Sequence, residues 1–288
     1  LPLVYYGTEA QKEQYLPKLV SGEWPAAYCL TEPGSGSDAL GARATAILSE
    51  DGTHYILNGT KQFITNGSFA KLFIVFAKID KELFTAFLVE KDFDGLVVGA
   101  EEKKLGIKGS STTQIILDNC KVPVENLLGG VEGRGMQQVL SGLETGRINV
   151  AARALGIAQA SYDAALTYSR EREAFGQPIS EFQAIQLKLA DMATKIQAAR
   201  LLIYWAAAGA DKGERVDMQA GMAKLFASEA AVANSMDGMR IFGGYSYSTD
   251  YDIERFFRDA PLMCIGEGTN EIQKLVIARQ LLDKYRVT

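Results

Sequence analysis

The sequence predicts an α+β chain in two parts. An antiparallel, barrel-like β-domain is expected over residues 24–130, and an antiparallel four-helix bundle over residues 131–288. Three observations predict this. Between residues 24 and 128, short runs rich in β-branched and aromatic residues alternate with the turn pairs Asp51-Gly52, Asn58-Gly59 and Asn66-Gly67. No helical period intervenes there. Beyond the loop carrying Gly129, Gly130, Gly133 and Gly135, apolar residues recur every three or four positions to the end.

Taken in order, residues 8–20 read as a short helix with Thr8 as N-cap, stopped at Ser21-Gly22. The β-runs are Tyr55–Leu57, Gln62–Thr65, Leu72–Ala77, Phe84–Val89 and Gln114–Leu117. In one of them Phe73, Val75 and Ala77 alternate with Ile74, Phe76 and Lys78, so both faces are nearly all apolar and that strand is expected to be buried on both. In the helical part, Phe182, Ile185, Leu189, Met192, Ile196, Ala199 and Ile203 form one seam. Met218, Met222, Leu225, Glu229, Val232, Met236 and Met239 form the next. With helices at 135–172 and 269–284, these make four. The methionines and aromatics on the seams read as core.

Composition narrows the function. Hydrophobic residues at 47% and charged residues at 23% are those of an ordinary globular chain, and 288 residues suffice for two cores. A net charge of −5 and a pI near 5.2 argue against a nucleic-acid surface. The three cysteines contain no CxxC pair, which argues against a disulfide framework or a zinc site and for a reducing compartment, cytoplasmic or mitochondrial matrix. A single histidine, His54, leaves little for a His-based metal site or a Ser-His-Asp triad. No 18-residue apolar run and no signal peptide are visible, so no transmembrane segment is expected.

One stretch asks for chemistry. In Cys264-Ile-Gly-Glu-Gly-Thr-Asn-Glu-Ile-Gln273, Glu267 lies between Gly266 and Gly268, just ahead of an amphipathic helix beginning near Thr269. Glycine permits backbone conformations closed to other residues and a close ligand approach. An apolar turn around Leu262, Met263 and Ile265 would desolvate the carboxyl and raise its pKa toward the range of a base. The alternative is a surface Glu at a helix N-terminus, where the dipole favours negative charge.

Four motifs resolve the choice. Ala27-Tyr-Cys-Leu-Thr-Glu-Pro-Gly-Ser-Gly-Ser-Asp38, Gln62-Phe-Ile-Thr-Asn-Gly67, Arg172-Glu-Ala-Phe-Gly-Gln-Pro178 and Ile265-Gly-Glu-Gly-Thr269, in this order, resemble the acyl-CoA dehydrogenase family. The resemblance runs from Tyr5 to about Tyr285. The segment Glu101-Glu-Lys-Lys-Leu-Gly-Ile-Lys108 is most similar to very-long-chain and related bacterial members. Residues 1–23 would be a remnant of the family's N-terminal helical domain, the rest of which has no counterpart in this sequence.

The resemblance implies FAD-dependent α,β-dehydrogenation of a fatty acyl-CoA to the trans-2-enoyl-CoA, with an electron-transfer flavoprotein as partner. Glu267 matches the base that removes the α-proton. Some members carry that Glu on the first bundle helix instead, where this chain has Gly146. Tyr28, Leu30 and Thr31 match the segment along the flavin, and Phe63 and Thr65 match a second flavin-facing strand, with Phe in place of a common Trp. Ser37 matches a contact to the FAD pyrophosphate and the substrate's thioester arm, although Pro-Gly-Ser-Gly-Ser-Asp is also an ordinary turn. Arg172, Phe175 and Gln183, with Gly243 and Gly244, match positions reaching the FAD of a neighbouring subunit, which implies a homodimer or homotetramer. Thr269 and Glu271 match cofactor positions as well; Glu271 replaces a polar amide near the adenine, and Arg240 a common Gln. Glu144 and Arg147 match positions along the CoA arm, or form a salt bridge within the bundle. Gly266 replaces an aromatic residue, and Gly266 and Gly268 would border the substrate. Other readings are an acyl-CoA oxidase or flavin monooxygenase on the same scaffold, or a truncated, non-catalytic assembly.

Overall fold

Thr8 begins the first long helix, as its sequence context predicts. The computed structural model describes residues 1–284, so the last four positions of the helical part lie outside the described residues, Tyr285 among them. After α1 (Pro2–Tyr6), α2 (Glu9–Val20) opens on a capping box: the Thr8 hydroxyl accepts from Gln11 N, and the Gln11 side chain accepts from Thr8 N. Gln11 Nε2 also donates to the Glu125 and Leu127 carbonyls at 2.7 Å each, tying the helix into the first unit. The helix stops at Ser21, and Gly22 takes φ +79°.

Seven strands follow: β1 (Ala26–Cys29), β2 (Thr45–Leu48), β3 (His54–Thr65), β4 (Leu72–Ile79), β5 (Leu83–Glu90), β6 (Leu96–Glu101) and β7 (Thr112–Pro123). They form one sheet in the order β1-β4-β2-β3-β7-β6, with β5 also paired to β4. The antiparallel barrel is thereby corrected. Both β1 and β2 run parallel to β4, at Leu72–Val75 and at Lys78–Ile79, and the sheet is mixed. Side chains alternate in the same way in either direction, so the apolar pattern reports burial and not strand polarity. Asn58-Gly59 is a second correction, because β3 runs straight through it. The register against β7 shifts between Leu57 and Gly59, and a Cβ on Gly59 would stand 2.8 Å from Ala44 Cβ. The expectation for β4 holds: its residues are buried on both faces except the half-buried Lys78. Phe73, Val75 and Ala77 pack there with Leu57, Phe87 and Ile115.

The chain divides into two compact units, residues 1–104 with 108–142, and residues 105–107 with 143 onward. The second is helical and takes in most of α3 (Gly135–Glu171), then α4 (Gln183–Asp211), α5 (Asp217–Phe242), α6 (Ile253–Ile265) and α7 (Asn270–Lys284). Five helices stand where four are expected. The addition is α6, which carries Pro261 within it and so reads in sequence as interrupted.

The α4 seam is buried at Met192, Ile196, Ala199 and Ile203 as its spacing predicts. The α5 seam is not. Met218, Met222, Leu225, Val232, Met236 and Met239 are half-buried and Glu229 is exposed. The buried side is made of small residues: Ala220, Ala223, Ala227, Ala230, Ala231 and Gly238. Helix α5 packs against α4, α6 and α7, and small side chains let several helix axes approach it closely. Ala227→Leu is therefore expected to cost about 1–3 kcal/mol by overpacking, and Met222→Leu less than about 1.5 kcal/mol. Urea unfolding followed by circular dichroism measures both; equal costs would mean that the methionine face carries the packing.

Candidate active site

In the second unit, Glu267 stands in the turn between α6 and α7. Its backbone is left-handed, with φ +57°, and Gly268 follows at φ +87°. For a residue with a side chain this conformation costs roughly 1–2 kcal/mol, so the surroundings must hold it. Gly266 differs: at φ −66° it takes a conformation open to any residue. Only one of the two flanking glycines is thus required by the backbone.

The turn is held through its carbonyls. Lys224, fully buried on α5, donates from Nζ to Cys264 O, Gly268 O and Asn270 Oδ1, each at 2.9 Å. Gln273 donates from Nε2 to Glu267 O and Gly268 O, each at 3.2 Å. Asn270 is further fixed by Ser228, which donates to its Oδ1, and by Glu229, which accepts from its Nδ2 at 2.7 Å. Sequence reasoning missed both Lys224 and Gln273. The sequence carried no signal for Lys224, because the methionine seam was expected to face inward and Lys224 lies off it, among the small residues of α5.

The Glu267 side chain as a whole is exposed, but its carboxyl lies against α3. A Cβ on Gly146 would come within 2.5 Å of Glu267 Oε2, so glycine there leaves room for the carboxylate. Burial pushes the Glu267 carboxyl above the ordinary range, while the positive charges of Arg147 and then Lys224 pull it back. Arg147 is itself buried, 3.6 Å from Asp217 Oδ1, and its Nε has no hydrogen-bond partner among the described residues. Glu144 turns elsewhere and accepts from Val216 N at the start of α5. Thr269 Oγ1 accepts from Ile272 N, capping α7, and hydrogen bonds from Glu271's own backbone N–H and from Thr269 hold the exposed Glu271 carboxyl low.

Elsewhere in this unit, Arg172, Gly243 and Gly244 line one open cavity of about 610 Å³ with Tyr168 and Tyr245. The Arg172 guanidinium lies 5.7 Å from the Tyr245 ring centre. Phe175 and Gln183 are not among its walls. Phe175 is 97% exposed on a left-handed backbone, 6.0 Å from the Phe182 ring, and Gln183 is exposed at the first position of α4.

In the first unit, the segment after β1 meets the end of β3. Gln62 N donates to Thr31 O at 2.8 Å, bringing Leu30 and Thr31 beside Phe63 and Thr65. A register shift between Lys61 and Ile64 turns Phe63 outward, with φ +57° and 63% of its surface exposed; Thr65 is exposed too. Beneath them Lys61 and Glu32 form a buried pair at 2.7 Å that the sequence reading overlooked. Lys61 also donates to Leu30 O, and Glu32 accepts from the Arg43 and Ala44 N–H groups. Tyr28 packs edge-on against Phe76 at 5.1 Å. Ser37 is exposed in the bend that follows a turn closed by two Glu32–Ser35 backbone hydrogen bonds.

With this geometry in view, the chain matches two family descriptions: "Acyl-CoA dehydrogenase, middle domain" over residues 27–120 and "Acyl-CoA dehydrogenase, C-terminal domain" over residues 133–282. An acyl-CoA dehydrogenase of Bacillus subtilis is 48% identical over 285 residues, covering 98% of this chain and 74% of that protein. The chain belongs to the acyl-CoA dehydrogenase family. Among solved structures, it is similar to butyryl-CoA dehydrogenase from Megasphaera elsdenii, with TM-score 0.94 and 44% identity over 98% of this chain and 74% of that one. It is also similar to an acyl-CoA dehydrogenase complexed with FAD from Bacillus anthracis, with TM-score 0.93 and 43% identity over 98% and 52%.

Members of the family are oxidoreductases acting on CH–CH bonds, and FAD is the cofactor. The residues present fit such a group. In the first unit Phe63 holds an apolar ring in solvent on left-handed backbone, which suits a planar partner, with Thr31 and Thr65 as neighbours; in the second unit Phe175 is likewise exposed on left-handed backbone. Among the described residues there is no cluster suited to a metal ion, and no helix is long and apolar enough to cross a membrane.

The raised Glu267 carboxyl has a consequence for stability. The folded chain holds this proton more tightly than the unfolded chain, so its contribution is full below the ordinary carboxylate range and is lost as pH rises through the folded value. Glu267→Gln is expected to be more stable than the parent at pH 7, with no difference below about pH 4. Urea unfolding at the two pH values tests this, and a less stable variant at pH 7 would mean that attraction to Arg147 and Lys224 outweighs burial.

Proposed function

We propose that this acyl-CoA dehydrogenase removes two hydrogens from a fatty acyl-CoA thioester to give the trans-2-enoyl-CoA, with Glu267 as the base and an electron-transfer flavoprotein as electron acceptor. The observation that supports this best is the Glu267 carboxyl itself, raised by burial and accommodated by Gly146. A carboxylate of raised pKa is a stronger base for a weakly acidic α-proton, and the positive charges of Arg147 and Lys224 oppose that rise. The proton passes from the substrate's α-carbon to a Glu267 carboxylate oxygen. The chemistry that bound FAD would supply is acceptance of the hydride that leaves the β-carbon.

Phe63, Thr31 and Thr65, with Tyr28 and Leu30, would hold the flavin end of the cofactor, and Ser37 would contact its pyrophosphate. Arg172, Phe175, Gln183, Gly243 and Gly244, with Thr269 and Glu271, would hold FAD in a dimer or tetramer, part of it belonging to a neighbouring subunit. Arg172, Gly243 and Gly244 already share one cavity wall, which supports reading them together. Glu144 and Arg147 would border the CoA arm. Gly266 needs no glycine for its backbone, so its missing side chain is read as space beside the base, suited to branched or bulky acyl groups. Three free cysteines with no CxxC pair are the basis for placing the chain in a reducing compartment, the cytoplasm or the mitochondrial matrix.

Glu267→Gln is expected to keep its flavin and lose acyl-CoA-dependent bleaching, because an amide of the same shape accepts no proton. Stopped-flow absorbance decides this, and near-parental reduction by the variant would remove Glu267 from the role. Arg172→Ala should weaken FAD retention by about 1.5–3 kcal/mol if a charged hydrogen bond is lost. An unchanged affinity on FAD titration would count against the shared site.

A further inference from the structure

We propose that Lys224 is a positioning residue for Glu267: its ammonium grips the main chain on both sides of the base and so fixes where the carboxylate stands. The inference rests on reading Glu267 as the base and adds to it how that base is held.

The geometry is specific. An ammonium has three donors, and all three are used here. One goes to Cys264 O in the last turn of α6, one to Gly268 O just after the base, and one to the Asn270 side chain at the start of α7. The two carbonyls lie three residues before Glu267 and one after it. The left-handed turn between them therefore has its ends tied to one rigid point on α5. Gln273 closes the turn from the other side through Glu267 O and Gly268 O, and Gly268 must be glycine, since a Cβ there would meet Gln273 Nε2 at 2.7 Å.

A buried ammonium is a costly way to join three elements, and ordinary packing does not require one. Its charge is well placed for α6, whose C-terminal carbonyls favour a cation. At α7 the Asn270 side chain, rather than bare N–H groups, faces the cation, and Ser228 and Glu229 complete the network. The Lys224 charge also acts on Glu267. The charged or titratable groups around the two are Arg147 on α3, Glu229 on α5, Cys264 on α6 and Glu271 on α7. Arg147 and Lys224 are the two cations drawing the Glu267 pKa down, so loss of Lys224 leaves only one.

Lys224→Met keeps the length of the side chain and removes both donors and charge. Lys224→Gln keeps two N–H donors and removes the charge. The test is single-turnover flavin reduction by an acyl-CoA in the flavin-loaded full chain across pH, with Glu267→Gln alongside. For Lys224→Met the reduction rate should fall about 10- to 100-fold at saturating substrate with little change in substrate affinity, as a displaced base predicts. The rise of rate with pH should also move to higher pH, because a carboxylate that has lost a nearby cation holds its proton longer. Lys224→Gln should recover part of the rate and keep the shifted profile. Parental rate and pH profile in a folded, flavin-loaded lysine variant would overturn the proposal. So would failure of both variants to fold, which would make Lys224 a folding residue. If Glu267→Gln still reduces its flavin, the reading of the base fails instead; if it is inactive while Lys224→Met matches the parent, only the positioning role fails.

Discussion

The second unit depends on one constraint: a residue with a side chain must be kept in a left-handed turn. Glu267 has no local reason to stay at φ +57°, since the residue after it is glycine and the two helices on either side end and begin independently. The roughly 1–2 kcal/mol of strain is offset only if the turn's carbonyls have better partners in this conformation than in a relaxed one. Lys224 and Gln273 are those partners, and they act on the carbonyls of residues 264, 267 and 268. The side chain is then free to face Gly146 and Arg147.

The first unit uses a similar device. Lys61 is fully buried, pairs with Glu32 at 2.7 Å and donates to Leu30 O. Glu32 in turn gathers the Arg43 and Ala44 N–H groups. A lone charge in such a place would be expensive, and breaking a buried pair by removing one partner typically costs about 3–5 kcal/mol. The irregular chain on either side, from Leu30 to Ala44, is thus anchored to β3 next to the outward-turned Phe63. In each unit a buried lysine anchors a stretch of irregular backbone that carries some of the residues singled out for chemistry, Leu30 and Thr31 in the first and Glu267 in the second, to a regular element.

This explains what could be read from the sequence. The motif residues were singled out through their resemblance to the family, since taken alone Pro33-Gly-Ser-Gly-Ser-Asp38 reads as an ordinary turn and Glu267 reads equally as a surface carboxylate at a helix start. The β-to-helical division of the chain was legible from the change of period alone. Strand direction was not, because β1 pairs with β4 across more than forty residues and alternation is blind to polarity. The bulge at Asn58-Gly59 has the same dipeptide as a hairpin turn, and only the approach of Ala44 distinguishes the two. Lys224 and Lys61 were invisible for a different reason. A lysine in sequence defaults to the surface, and its burial is decided by partners distant in the chain.

Helix α5 shows how the two levels join. Its large residues suggested a seam, but a seam of methionines would have kept α6 and α7 at a distance. The alanines and glycines that face inward instead bring both helices near its axis. Lys224 is on this side, between Ala223 and Ala227, with Ser228 one turn further on. A single side chain can span from α5 to the end of α6 and the start of α7 only because the neighbouring positions are small. The small-residue packing is therefore a condition for the ammonium's three contacts, and through them for the place of Glu267. A change that widened the α5–α6 spacing would be felt at the carboxylate without touching it.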